Sequence, residues 1–193
     1  KIKYLGDDAY LCFIRDITQK KRNMEQLDAI HKQATKLSTL QSIEEISNTT
    51  LDIMESLFEH QTNSFQIREK ETLKTLGTRG IISIKPELSL KGRGMTEKAA
   101  KEKRSILIND LRKNPTFTKD SPDSLSKLSV PAINDDETIA ILNVESPHLN
   151  EFTEEDRKLL ETLAYHVAFA VNRVIQQVSR SQQAATKLNY ALG

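Results

Sequence analysis

The stretch Leu128-Ser129-Val130-Pro131-Ala132-Ile133-Asn134-Asp135-Asp136-Glu137-Thr138-Ile139-Ala140-Ile141-Leu142-Asn143-Val144 reads as two apolar arms about a polar turn. Asn and Asp favour tight turns because their side chains bond to nearby backbone and tolerate left-handed conformations, so the tripeptide Asn134–Asp136 predicts a β-hairpin. Pro131 donates no hydrogen bond, which places it at an edge or a bulge of the first arm. A few residues on, Thr153-Glu154-Glu155-Asp156 predicts a helix start, with a threonine cap and acids at the positive end of the helix. Leu159, Leu160, Leu163, Ala164, Val167, Ala168, Val171, Val174, Ile175 and Val178 continue at helical spacing, and beyond Arg180 the stripe thins.

Working outward from the hairpin, Ser105–Ile108 predicts a short strand. It ends at Asn109-Asp110 with a helical turn to Lys113, and a loop rich in proline and serine follows. Met95–Lys103 predicts a helix, preceded by a glycine-punctuated turn from Leu90 to Gly94. Residues 63–84 predict two or three strands of a half-exposed antiparallel sheet. Ser42-Ile43-Glu44-Glu45 is a capping box, and the apolar positions from Ile43 to Phe58 make a stripe broad enough to pack on a core. Before it, Met24, Leu27, Ile30, Ala34 and Leu37 form a narrow seam in a polar run, which two copies of the chain could cover side by side. Tyr10–Arg15 predicts a strand after the turn signal Gly6-Asp7-Asp8. A lone hairpin is marginal in water, so these residues are expected to be the remnant of a truncated domain. The order is α+β: an antiparallel sheet with helices on its face and long helices at both ends.

Composition narrows the function classes. A formal net charge of +1 supplies no strong basic field for nucleic acid or an anionic membrane. No apolar run approaches the ~20 residues of a membrane span. The single cysteine, Cys12, rules out an internal disulfide framework and a multi-cysteine metal site, and fits a reducing, cytoplasmic compartment.

Four segments, in order, resemble the GAF domain family: Leu90-Lys91-Gly92-Arg93-Gly94-Met95; Ile106-Leu107-Ile108-Asn109-Asp110 with Asn114-Pro115-Thr116-Phe117; Leu128-Ser129-Val130-Pro131 with Ile139 to Ser146; and Phe152-Thr153-Glu154-Glu155-Asp156. Ala140 stands where the family commonly has glycine, and the region between Phe65 and Leu90 departs from the family pattern. Tyr10 to Leu27, with Asp16-Ile17-Thr18 at its strand-to-helix junction, resembles the end of a PAS domain. The resemblance implies residues 1–17 as the tail of a PAS domain, 18–41 as a connector helix, 42–178 as the GAF domain and 179–193 as the start of a signalling helix. It also implies a pocket between the sheet and residues 95–126, for which Ile108, Asp110, Phe117, Leu125, Leu128 and Val130 are the candidate lining.

Residue chemistry then weighs the ligands such domains take. A covalent bilin needs cysteine in or near the domain and none follows Cys12; methionine sulfoxide reduction needs thiols likewise. The Asn-Lys-Phe-Asp-Glu run of cyclic-nucleotide binders is absent. Haem needs an axial ligand, and His31, His60, His148 and His166 read as connector, loop-end and packing residues. Gly92 and Gly94 before a helix read as a turn, with an anion cradle as the alternative. Asp110 reads as a cap, with ligand binding as the alternative. No nucleophile stands with a base and an orienting acid, so a non-enzymatic module is expected. No cofactor is assigned. The expectation is a sensory module of a PAS–GAF, histidine-kinase-like protein that binds a small molecule or relays without one. It would form a homodimer through Met24, Leu27, Ala34, Leu37, Val171, Val174 and Val178, with no contact to nucleic acid or membrane.

Overall fold

The computed structural model describes residues 2–4, 7–9, 24, 28, 30–32, 35–81, 84–114 and 123–192. Cys12, Leu27, Ala34 and Phe117, the expected strand Tyr10–Arg15 and much of the expected connector lie outside them. Strands β1 (Ile2–Tyr4) and β2 (Asp7–Ala9) pair antiparallel, Tyr4 opposite Asp7. Asp7 and Asp8, expected in the turn, are therefore strand residues.

The main sheet contains β3 (Thr62–Glu69), β4 (Thr72–Arg79), β5 (Glu87–Ser89), β6 (Ile106–Ile108), β7 (Ser126–Asn134) and β8 (Glu137–Ser146), in the order β5-β4-β3-β8-β7-β6. The hairpin that opened the reading is β7–β8. Its loop residues Asp135 and Asp136 have φ of 48° and 59°, the left-handed pair whose twist matches the flanking strands. Pro131 sits where its missing N–H costs nothing: β6 pairs only with Lys127–Ser129, so β7 is an edge from Val130 onward, and the register slips between Ala132 and Ile133.

Helix α1 (Ile43–Leu57) starts on the expected capping box: Ser42 Oγ accepts from Glu45 N at 3.1 Å, and Glu45 Oε2 accepts from Ser42 N at 3.2 Å. Helix α2 is Met95–Glu102. Helix α3 (Glu154–Leu192, 39 residues) starts with a second reciprocal cap. Thr153 Oγ1 accepts from Asp156 N at 3.2 Å while Asp156 Oδ2 accepts from Thr153 N at 2.8 Å.

Alternation along the strands gives the sheet two different faces. Phe65, Ile67, Leu128, Val130, Ala132, Ala140, Leu142 and Val144 form one face, and they cluster with Ile46, Leu51 and Met54 of α1 and Leu160, Leu163, Val167 and Val171 of α3. The other face carries α2 and is described below.

The connector does not wait for a second copy. Ile30 and Leu37 are buried in the same cluster as Val171 and Val174. His31 Nδ1 lies 3.2 Å from His166 Nε2, and Arg173 Nη2 donates to the carbonyl of Leu40. Leu37, Val171 and Val174, expected at a dimer interface, are thus interior residues of one chain. The physical reason is that Ile30 and Leu37 are covered in cis, and a side chain already out of water gains nothing from a second partner. Of the remaining described candidates, Met24 is 57% and Val178 50% exposed. After Val174 the character of α3 changes: residues 175–187 are exposed on every side, a stretch of ~20 Å at 1.5 Å per residue. No helix among the described residues is long and apolar enough to cross a membrane.

Candidate functional site

The second face of the sheet is polar and buried. It is assembled by strand period two: Thr62, Ser64 and Gln66 from β3, Lys127 and Ser129 from β7, and Asn143 and Glu145 from β8, all buried. At the α2 end it turns apolar, with Leu73, Leu88, Leu90, Ala100 and Ile141 in a small separate cluster.

Asn143 is the hub. Its Oδ1 accepts from Ser129 Oγ at 2.6 Å and from Thr96 Oγ1 of α2 at 3.1 Å. Its Nδ2 donates to Gln66 Oε1 at 3.2 Å and to Ser64 Oγ at 3.3 Å. Four bonds exhaust what a carboxamide can make. The chain continues from Gln66 Nε2 to Thr75 Oγ1 at 3.0 Å and from Thr75 Oγ1 to the Lys85 carbonyl at 2.7 Å. Network and helix are therefore tied: α2 is seated on the sheet through Thr96.

Beside the hub, Lys127 and Glu145 stand directly opposite in register, with Nζ to Oε1 at 2.8 Å and side-chain exposures of 4% and 1%. Burying two charges costs several kcal/mol per ion, and the attraction between them rarely returns more than that. A buried ion pair is therefore a poor stability device.

The sequence candidates divide around this site. Ile108 is opposite Lys127, and the Leu111 N–H bonds the Leu125 carbonyl at 2.8 Å, so Ile108, Asp110 and Leu125 gather at the same end of the sheet as the ion pair. Asp110 is a cap: it accepts from Arg112 N at 3.1 Å and, through both oxygens, from the Arg112 guanidinium at 2.9 Å. These bonds hold its carboxyl down at about 2, the side-chain bond to Arg112 being the main cause. Leu128 and Val130 are a correction, because they point into the apolar core under α1 and α3. Their neighbours Lys127 and Ser129 take the other face, since successive side chains alternate. The missed residues left a signal: Lys127 and Ser129, then Asn143 and Glu145, are polar at period two within otherwise apolar strands.

The turn before α2 resolves both readings of its glycines. A Cβ on Gly92 would lie 2.3 Å from Glu97 Oε1, and one on Gly94 2.1 Å from Glu97 Oε2. The glycines make room at the helix N-terminus for the carboxyl group of the helix's own Glu97. Nearby, a cleft of about 600 Å³ is lined by Arg68, Lys91 and Lys101 among others. Arg68 is paired with Glu137 at 2.6 Å, and Lys101 bonds the Gly92 carbonyl at 3.0 Å. No group of three or more His, Cys, Asp or Glu among the described residues could hold a metal ion.

A curled antiparallel sheet, packed by terminal helices on one face and by a short helix on its polar face, defines an α+β domain of the kind that regulatory and sensory GAF modules and some enzymes share. Residues 41–172 match the GAF domain family, and the chain belongs to it. No curated protein matches the chain. Among solved structures, it is similar to the free methionine-R-sulfoxide reductase of Neisseria meningitidis in complex with its substrate (TM-score 0.71, 20% identity, 87% of this chain and 98% of that one). It is similar to the GAF domain of a phosphoenolpyruvate-protein phosphotransferase from Coxiella burnetii (TM-score 0.71, 16% identity, 81% and 98%). It is also similar to the free methionine-R-sulfoxide reductase of Staphylococcus aureus in its reduced form (TM-score 0.67, 17% identity, 77% and 94%). At these identities the likeness is one of fold. It overturns the expectation of a non-enzyme all the same: two of the three neighbours are enzymes, so the fold hosts catalysis, and lack of a recognisable catalytic motif is no ground for excluding activity.

Proposed function

We propose that the chain is the regulatory GAF module of a multi-domain sensory protein, associating as a homodimer and relaying a change of state along α3. One observation carries this: a single unbroken helix is core on the sheet through Val174 and fully exposed over residues 175–187. A rigid rod with one end embedded in a domain passes any repacking of that domain outward. The exposed apolar groups of α3, Tyr165, Phe169, Ile175 and Val178, supply a surface for a second copy. Tyr165 and Phe169 meet edge-on at 64° with centroids 4.9 Å apart, which presents one aromatic block. The resemblance of Tyr10–Leu27 to a PAS tail supports a PAS domain before the module and a histidine-kinase-type output in a cytoplasmic two-component system.

The input in this reading is a small polar metabolite recognised by Lys127 and Glu145. The opposing detail is Asn143, whose complete internal satisfaction favours a second reading, a relay with no ligand. Sedimentation equilibrium and thermal shift with nucleotides, amino acids and organic acids test both. The double variant Ile175→Glu/Val178→Glu is expected to be monomeric with unchanged thermal stability. A wild-type chain that stays monomeric at high concentration overturns the dimer. A shift with one metabolite that Glu145→Gln abolishes supports the ligand reading, and no shift with any supports the second.

A further inference from the structure

We propose that the His31–His166 contact is a pH-sensitive clasp that helps to fasten the N-terminal connector to α3 and loosens it on acidification. The two residues are 135 positions apart in sequence, yet their rings meet edge-on at 86° with centroids 5.3 Å apart and Nδ1 of His31 3.2 Å from Nε2 of His166. A bond between two imidazoles needs one N–H and one lone pair, so it survives with both rings neutral or with one protonated. Adding the second proton removes the acceptor and leaves two positive charges at hydrogen-bond distance.

The surroundings do little to soften that repulsion. On α3, the positions one turn from His166 are Thr162, Leu163, Phe169 and Ala170, and its ring neighbour is Tyr165 at 5.6 Å. Glu161, an acid further back on α3, is engaged by Ser105 and Arg157. On the connector, Asp28 lies one turn before His31 and Lys32 beside it, both exposed. From α1, Asp52 faces the connector across the cleft it shares with Lys36, and it is paired with Arg79 at 2.9 Å.

Burial, then the neighbouring His31, lower the pKa of His166. The sign follows: the unfastened His166 binds a proton more tightly than the fastened one. The clasp therefore contributes fully above the ordinary histidine range near ~6.5 and is lost as pH falls below it. Ile30, Leu37 and the bond from Arg173 to Leu40 also hold the connector, so loss of this contact raises the frequency of its opening while the core contacts remain. The clasp stands whether or not α3 passes a signal onward.

Hydrogen exchange of the full chain at about pH 7.5 and about pH 5, corrected for intrinsic rates, tests it. Peptides spanning residues 28–40 are expected to lose protection about tenfold at the lower pH while those of β3 and β8 keep theirs. His166→Gln is expected to remove the difference, and β3 and β8 protection shows whether that variant is folded. His31→Gln is the second variant if it is not. Equal protection of residues 28–40 at both pH values, or a pH response that persists in a folded variant, overturns the clasp.

Discussion

Lys127 and Glu145 pose the sharpest energetic question at the residue scale, because each is buried and each is the other's counter-ion. Lys127→Met alone strands a carboxylate and is expected to cost about 3 kcal/mol, whereas Lys127→Met with Glu145→Leu is expected to be near neutral. Urea denaturation of the three proteins measures both. If the double variant is as unstable as the single, the pair is structural and the ligand argument loses its main support. Asp110 was legible in sequence as a cap, because a carboxylate before a short turn has free N–H groups to accept from. Leu128 and Val130 were misread because a strand's residues were legible while the face each one takes was not. A one-residue change of phase exchanges core and site, and only the pairing with β8 and β6 fixes that phase.

The helices carry their own start signals, and these operate at the scale of the element. The Ser42 and Thr153 caps satisfy backbone donors that no helix can satisfy internally, so they are written in the local sequence and formed as read. Ser42→Ala is expected to cost about 1 kcal/mol of stability with the fold unchanged, seen as a lower urea midpoint and an unaltered far-UV spectrum. The narrow seam of the connector is the contrary case. Its spacing announces one apolar edge, but spacing does not name what covers that edge. For Ile30 and Leu37 the cover is the core of the same chain, which includes Val171 and Val174 of α3.

For the whole molecule, the fold divides α3 into a packed half and an exposed half, and the two should respond differently to removal. Ending the chain after Gln176 is expected to leave unfolding stability within about 0.5 kcal/mol, since the side chains of residues 177–187 touch little. Beginning it at Gln41 is expected to cost about 3 kcal/mol or more, since Ile30 and Leu37 leave the core. Chemical denaturation of both truncations checks this, and equal losses would show that the connector is not part of the core. By itself the sequence determined the α+β class, the helix caps, the β7–β8 hairpin and the family, because periodicity, turn chemistry and capping act over a few residues. Tertiary structure alone decided the polar face, the ion pair at its end, the in-cis covering of the connector and the histidine contact. Each of these joins residues far apart in the chain, and their meeting depends on register and helix packing.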